Sequence, residues 1–291
     1  MSTALSTYQS HQISTMPQQA NSDAQLIALW LHGKAESTQR AYEADVQRLL
    51  AHTGKPLHQL ILADLQSFAD TLADAKAKGK RQIAAIKSLL SFGHKLGYLA
   101  FNVGAALKTP KVKDTLAERI LTEQEVLTMI ALTRKQRNKV LLQVLYASAG
   151  RVSEVCALCW RDVQPNGESG QVTLFGKGEK TRAVKLSKGT YTELLALRGK
   201  ALPTDAVFAS QKGGHLDASQ VHRLVKAAAE RAGISGNVSP HWMRHSHASH
   251  ALDRGASIAL VRDTLGHSSL AVTSRYTHAK PGDSSALHLA I

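Results

Sequence analysis

From Asp23 to about Leu107, apolar residues recur at three- and four-residue intervals, the period of helices with one buried face. Asp23 predicts a cap for a helix that Gly33 ends. Ser37 predicts the next cap, with Tyr42, Val46, Leu49 and Leu50 on one side. Leu65, Phe68 and Leu72 mark a third helix. Ile83, Ile86, Leu89 and Leu90 mark a fourth, closed near Gly97. The period lapses in the stretch from Leu107 to Asp114, where Pro110 among alternating lysines predicts an extended linker over 108–118.

A second domain over 119–291 is expected beyond it. Thr122 and Glu125 have the spacing of a capping box and predict a helix start. Asn138 to Ala149 is strongly apolar and helical, Gly150 interrupts, and Arg151 opens a short further helix. Gln171 to Leu186 reads as a β-hairpin, with Val172 and Leu174 alternating on one arm and Val184 and Leu186 on the other. Gly176 to Lys180 is its turn. From Ser219 the pattern is helical again. Ser239 and Pro240 predict a start, with serine as cap, for a helix reaching about Arg254 and stopped by Gly255. The expected fold class is mainly α with a small β-hairpin or sheet (α+β). A disordered tail over 1–22 precedes a helical domain over 23–107.

Charge narrows the partners. Lysine and arginine number 36 against 22 acidic residues, a net +14. Such a surplus speaks to partners, and a polyanion such as DNA leads. The run Lys76, Lys78, Lys80, Arg81 and Lys87 reads either as a solvated face or as a DNA-facing one. Residues 1–22 hold no lysine, arginine or carboxylate and lack the apolar run of a signal peptide. No apolar run reaches the length of a membrane span, so a cytoplasmic protein without a membrane is expected. The two cysteines, Cys156 and Cys159, exclude a disulfide scaffold. On one helix face they read as buried thiols, because half a zinc site has no second half.

The densest chemistry lies late in the chain. His241, Arg244, Ala248, Ala251 and Leu252 share one stripe of the helix that Pro240 opens. Cations extending an apolar face need an anion or a buried partner, and a helix start offers outward N–H groups. His241 alone reads first as a satisfied core histidine, and its pairing with Arg244 at such a helix start turns the reading toward phosphate. His241 and His245 have the spacing of two zinc ligands. A metalloprotease helix, however, carries Glu where Trp242 stands. Between Val238 and Lys280 the only carboxylates are Asp253 and Asp263, too few to cluster as in a metal-ion nuclease. No metal and no cofactor is expected. Arg151 alone reads as a salt bridge to Glu154, and Lys177 as a turn charge able to swing toward a site. His267 follows the Gly266 helix stop. Tyr276 sits in a short helix, where a tyrosine is usually a packing residue. Together these residues fill the needs of metal-free phosphodiester cleavage: a nucleophile, charge neutralisation and an acid for the leaving oxygen. A field of cations should also favour the phenolate.

In order and spacing the chain resembles the tyrosine recombinase family of phage-integrase and Xer-like enzymes. The matching segments are Ala149-Gly-Arg151-Val-Ser-Glu154, Gly176-Lys177-Gly178, Ser239-Pro-His241-Trp-Met-Arg244-His245, Leu265-Gly-His267-Ser-Ser and Arg275-Tyr276-Thr-His278. The likeness spans about Asp23 to His278. It implies a helical core-binding domain over 23–107 and a catalytic domain over 119–291. It also implies a site-specific recombinase working through a 3′-phosphotyrosyl link, without ATP or metal. Tyr276 would attack, Arg151 and Arg244 would hold the phosphoryl oxygens, and Lys177 would protonate the leaving 5′-oxygen. His241 would assist proton transfer and His267 would hydrogen-bond the phosphate. Implied partners are double-stranded DNA with short inverted-repeat core sites and a homotetramer on that DNA. The segment Ser284 to Ile291 would dock in trans; a frayed terminus is the alternative.

Gly150 departs from the larger apolar residue common at that place, and Asn102-Val103 from Asn-Pro. No separate arm-binding domain is expected before the bundle. The rival readings are a type IB topoisomerase-like relaxing enzyme and a catalytically idle DNA-binding regulator.

Overall fold

The computed structural model of the chain describes residues 19–72, 76–109, 116–176 and 181–279. Two compact units divide between Lys113 and Asp114. Unit 1 comprises α1 (Asp23–Leu31), α2 (Glu36–Thr53), α3 (Leu62–Asp70) and α4 (Lys76–Lys95). Its core takes Val46, Leu49, Leu65, Phe68, Ile86 and Leu90, residues the helical period singles out, together with Leu26 and Trp30 of α1.

Two expected caps are corrected. Ser22, not Asp23, caps α1 by accepting from the Gln25 N–H. The Asp23 carboxylate instead accepts from the Leu57 N–H at 2.8 Å and the Tyr98 hydroxyl at 2.6 Å, tying α1 to two distant loops. Ser37 lies inside α2, whose N-cap is Ala35 with no side-chain bond. The α4 end behaves as expected: Gly97 turns left-handed at φ +72°. Ala20 is buried in this core, so packed chain begins within the stretch expected to be a tail. Residues 1–18 lie outside the described residues.

Unit 2 starts earlier than expected. Leu116 is already buried and Ala117–Arg119 is a 3-10 turn, so the linker ends before 118. There follow α5 (Glu123–Ala131), α6 (Gln136–Ser148) and α7 (Val152–Cys156). A sheet of β1 (Val163–Asn166), β2 (Ser169–Phe175) and β3 (Thr181–Leu186) comes next. The helices α8 (Lys188–Leu195), α9 (Ala218–Arg231), α10 (Pro240–Asp253), α11 (Ile258–Leu265) and α12 (Leu270–Thr273) complete the unit. A 3-10 turn over Ser274–Ala279 carries Tyr276. The Thr122 capping box forms as the spacing predicts.

The sheet is antiparallel in the order β1-β2-β3, with Val172 opposite Val184 and Leu174 opposite Arg182. The expected hairpin is therefore two of three strands. β1 has one buried residue, Val163, and contains Pro165, which gives no ladder donor and suits an edge. Its sequence carries almost no strand pattern. The inner face of β2 and β3 joins α5, α6, α7, α9 and α10 around one core that includes Phe208 and Met243.

The chain reverses between α6 and α7 at Ala149, whose φ is +48°, the positive value of a non-glycine residue. Gly150 serves closeness instead: a Cβ there would meet Val155 Cγ2 at 2.6 Å. Ser239 occupies the N-cap position of α10, but its side chain makes no capping bond. Cys159 departs from the helical reading. It lies beyond the end of α7, pairs through its backbone with Ala206 and is only half-buried. Cys156 is buried, which pushes its thiol up to about 11. No described helix is long and apolar enough to cross a membrane.

Candidate active site

Loops after α6, β2 and α11 meet at a cleft of about 650 Å³ lined by Arg151, Gly176, Arg182, Asp263, His267 and Val272. Arg151 is the N-cap residue of α7. Its guanidinium pairs with Glu154 at 2.8 Å while the side chain stays 40% exposed. The salt bridge expected of Arg151 alone is thus present, and the group still faces the cleft. Glu154 is buried and also accepts from Arg182, at 2.6 and 3.1 Å. Burial raises the Glu154 pKa. The bonds from Arg182 and from the Arg151 backbone and side chain outweigh it and hold the carboxyl below the usual range.

Arg182 was not singled out from the sequence. Opposite Leu174 it takes an inward position on β3, the face of Val184 and Leu186. A cation on the buried side of an alternating strand was the available signal. Its Nε donates to the Thr264 carbonyl at 2.7 Å. Its guanidinium also crowds Gly266, where a Cβ would lie 3.1 Å from it. Arg182 therefore joins Glu154 to the turn that presents His267.

Arg244 lies on α10 and is 4% exposed. It donates to the Ala149 and Leu265 carbonyls at 2.5 Å each. A guanidinium has five N–H donors, so those two carbonyls fix its plane and leave donors over. Burial first, then the charges of Arg151 and Arg182, pull its pKa down to about 10. It remains cationic, and one carboxylate faces three arginines.

The histidines differ in role. His241 at the α10 start is exposed, contrary to the core reading. What desolvation it has, then Arg244 and His222, lowers its pKa. His267 is half-buried and shares a 2.9 Å hydrogen bond with Thr273. Burial and then Arg244 hold it at about 4, so it is neutral at physiological pH. His247 and His250 are tied to Tyr146 on α6 at 2.8 and 2.7 Å. Their crowding on α10 thus has a packing explanation. Among the described residues, His, Cys, Asp and Glu nowhere gather in threes suited to a metal ion.

Tyr276 is 4% exposed, in an apolar cluster with Leu116, Ala149, Ala248, Val261 and Leu265. Two of these residues supply the carbonyls that anchor Arg244. The tyrosine hydroxyl lies 2.7 Å from His245 Nδ1. The expectation that nearby cations favour its phenolate is corrected for this state. Burial raises the pKa, and Arg244 and Arg275 offset only part of that. Lys177 lies outside the described residues, and its neighbours Gly176 and Thr181 line the cleft.

A sunken surplus of guanidinium charge beside neutral histidines, with a tyrosine in the same framework, defines an anion site equipped for phosphoryl chemistry. The phage integrase family model matches residues 119–282. A tyrosine recombinase XerC of Corynebacterium efficiens is 33% identical over 259 residues, covering 84% of this chain and 82% of that protein. The chain belongs to the phage integrase family and is a tyrosine recombinase. Its fold is also that of solved relatives at lower identity. The XerH site-specific recombinase, crystallised on difH substrate before cleavage, superposes with a TM-score of 0.72 at 20% identity, over 93% of this chain and 84% of that one. A lambda integrase, crystallised as a tetramer on a Holliday junction, gives 0.71 at 18% identity, over 86% and 74%.

Proposed function

We propose that the protein cuts and rejoins double-stranded DNA at short inverted-repeat sites through a 3′-phosphotyrosyl link on Tyr276. Arg151 and Arg244 hold the non-bridging oxygens of the scissile phosphate. His267 hydrogen-bonds the same group, and His241 assists proton transfer. As the Tyr276 oxygen bonds to phosphorus, the bond to the 5′-oxygen breaks, and Lys177 gives that oxygen its proton. A 5′-hydroxyl from a second strand then displaces the tyrosine, so the phosphoester bond is conserved without ATP or metal. Residues 119–291 carry this chemistry in the cytoplasm. Residues 23–107 bind the duplex, with Lys78 and Lys80 of α4 exposed to meet phosphate. Four copies act together, with residues 284–291 docking on a neighbour; that segment lies outside the described residues.

The observation that carries this reading is Arg244. A buried guanidinium pinned by two carbonyls, next to Arg151 and Arg182, holds more positive charge than Glu154 cancels. Such a surplus is stabilised by a bound anion. The test uses a nicked DNA whose site the protein itself has selected from random sequence. A covalent protein–DNA adduct should form, and Tyr276→Phe should form none while binding that DNA as the parent does. Adduct formation by the phenylalanine variant would refute the assignment.

A further inference from the structure

Cleavage through Tyr276 requires its phenolic proton to leave, and burial has made that harder. One acceptor is already in place. His245 Nδ1 lies 2.7 Å from the hydroxyl, with the ring centroids 5.7 Å apart. His245 stands one helical turn after His241 on α10, and the two imidazoles stack at 6.0 Å and 24°. The tyrosine's hydrogen-bond partner is thus His245, and His241 lies behind it. The groups facing His245 are His241 and Arg244 from its own helix, Arg119 from the turn before α5, and Arg275 and Tyr276 from the last turn. None of these is a carboxylate.

Resting on the proposed function, we infer that His245 is the base that receives the Tyr276 proton during strand cleavage. The Oη–H bond breaks and the proton passes to Nδ1, making an imidazolium. The freed electron pair forms the bond to phosphorus, and the 5′-oxygen leaves with its own pair and is protonated by Lys177. In rejoining, the imidazolium returns the proton to the departing phenolate. Burial, then His241 and the three arginines, hold the free imidazole at about 4, so its lone pair is open. A phosphodiester seated on Arg244 adds negative charge nearby and raises the ring's basicity when it is needed.

Single-turnover cleavage of the nicked site by the full chain is the test, with His245→Ala and His245→Asn across the pH range. At neutral pH both should cleave at least about a hundredfold more slowly, the usual worth of a positioned base. The deficit should shrink about tenfold per unit as pH rises toward the phenol's own ionisation, which burial sets above the ordinary tyrosine value. Added imidazole should recover part of the alanine variant's rate. Asparagine offers an oxygen near the Nδ1 position that accepts the hydrogen bond but takes no proton. Parental rates with asparagine would therefore reduce His245 to a positioning residue and overturn the inference. A deficit equal at every pH, or no deficit, would overturn it too. A DNA mobility shift reports folding; if the alanine variant does not bind, the asparagine variant carries the test. Should the parent form no Tyr276-dependent adduct, the proposed function fails instead.

Discussion

Each unit buries one carboxylate between two arginines. In unit 1, Asp45 on α2 is fully buried and meets Arg48 of its own helix at 3.1 Å and Arg81 of α4 at 2.5 and 2.9 Å. In unit 2, Glu154 meets Arg151 from the start of its helix and Arg182 from β3. The local designs match, and what lies beyond them differs. The arginines on Asp45 are 51% and 40% exposed, so water screens their remaining charge. Arg182 is 12% exposed and continues to the Thr264 carbonyl, and Arg244 adds a third buried cation. A buried carboxylate with two arginines is thus a fastener by itself. It becomes part of a site when surplus charge is kept from water.

The sharpest way to break this contrast is to remove each carboxylate. Losing one partner of a buried ion cluster costs about 3–5 kcal/mol, because the remaining charge stays buried and unpaired. Glu154→Ala, which strands the buried Arg182, should therefore lower stability by that order in urea unfolding, and Asp45→Ala by less, because the arginines it leaves are already reached by water. Cleavage per folded molecule should separate them. Asp45→Ala should form adduct at close to the parental rate, whereas Glu154→Ala should lose at least about a hundredfold, as Arg151 and the His267 turn lose their common anchor. Equal cleavage by the two variants would erase the distinction.

Unit 1 was legible because its helices are amphipathic and locally coded, and the residues of its apolar stripes are the ones buried. Its basic run was less so. Arg81 is committed to Asp45 and Lys87 donates to the Leu107 carbonyl, so these two cations of the expected DNA face serve packing. In unit 2, Arg151, His241, Arg244, His267 and Tyr276 could be nominated from spacing and resemblance, and they enter the proposed function on that footing. Their states could not be read that way. Whether Tyr276 is buried, and whether His245 or His241 holds it, depends on helices that meet only after folding. The Ala149 and Leu265 carbonyls that pin Arg244 are backbone groups, on which side-chain patterns are silent.

The second arginine of each cluster gives a smaller, sharper contrast. Arg182→Met keeps the aliphatic length and removes the bonds to Glu154 and Thr264. Arg151 then remains as the carboxylate's arginine partner. We expect a loss of about 2–3 kcal/mol, below full removal of a partner because that pair survives. Cleavage should fall about tenfold through the displaced His267 turn, with DNA affinity less affected. Arg81→Met should cost about 1 kcal/mol, since its charge is partly in water and Arg48 remains, and should leave cleavage unchanged. Thermal melts and single-turnover rates measure both. An Arg182→Met enzyme that cleaves normally would make Arg182 a fastener like Arg81.

Acid should act on unit 2 through its histidines with less effect than either substitution. His245 and His267 are held at about 4, and His241, His247 and His250 are also lowered, in every case first by burial. His245 and His267 stay neutral in the folded chain down to about 4, and all five rings titrate near 6.5 when unfolded. Between those values the unfolded state binds more protons, so stability is fully present above about 6.5 and is lost as pH falls toward 4. Exposed ring edges let water screen part of this, which limits its size. Glu154 adds a separate loss lower down, since its depressed carboxyl favours the fold only above the ordinary glutamate range. Melting followed from pH 7.5 to 4.5 should therefore fall for residues 114–291 before any carboxylate protonates. A flat profile down to pH 5 would mean that these rings take up protons without cost, and that the surplus positive charge around Arg244 is more open to water than its burial indicates.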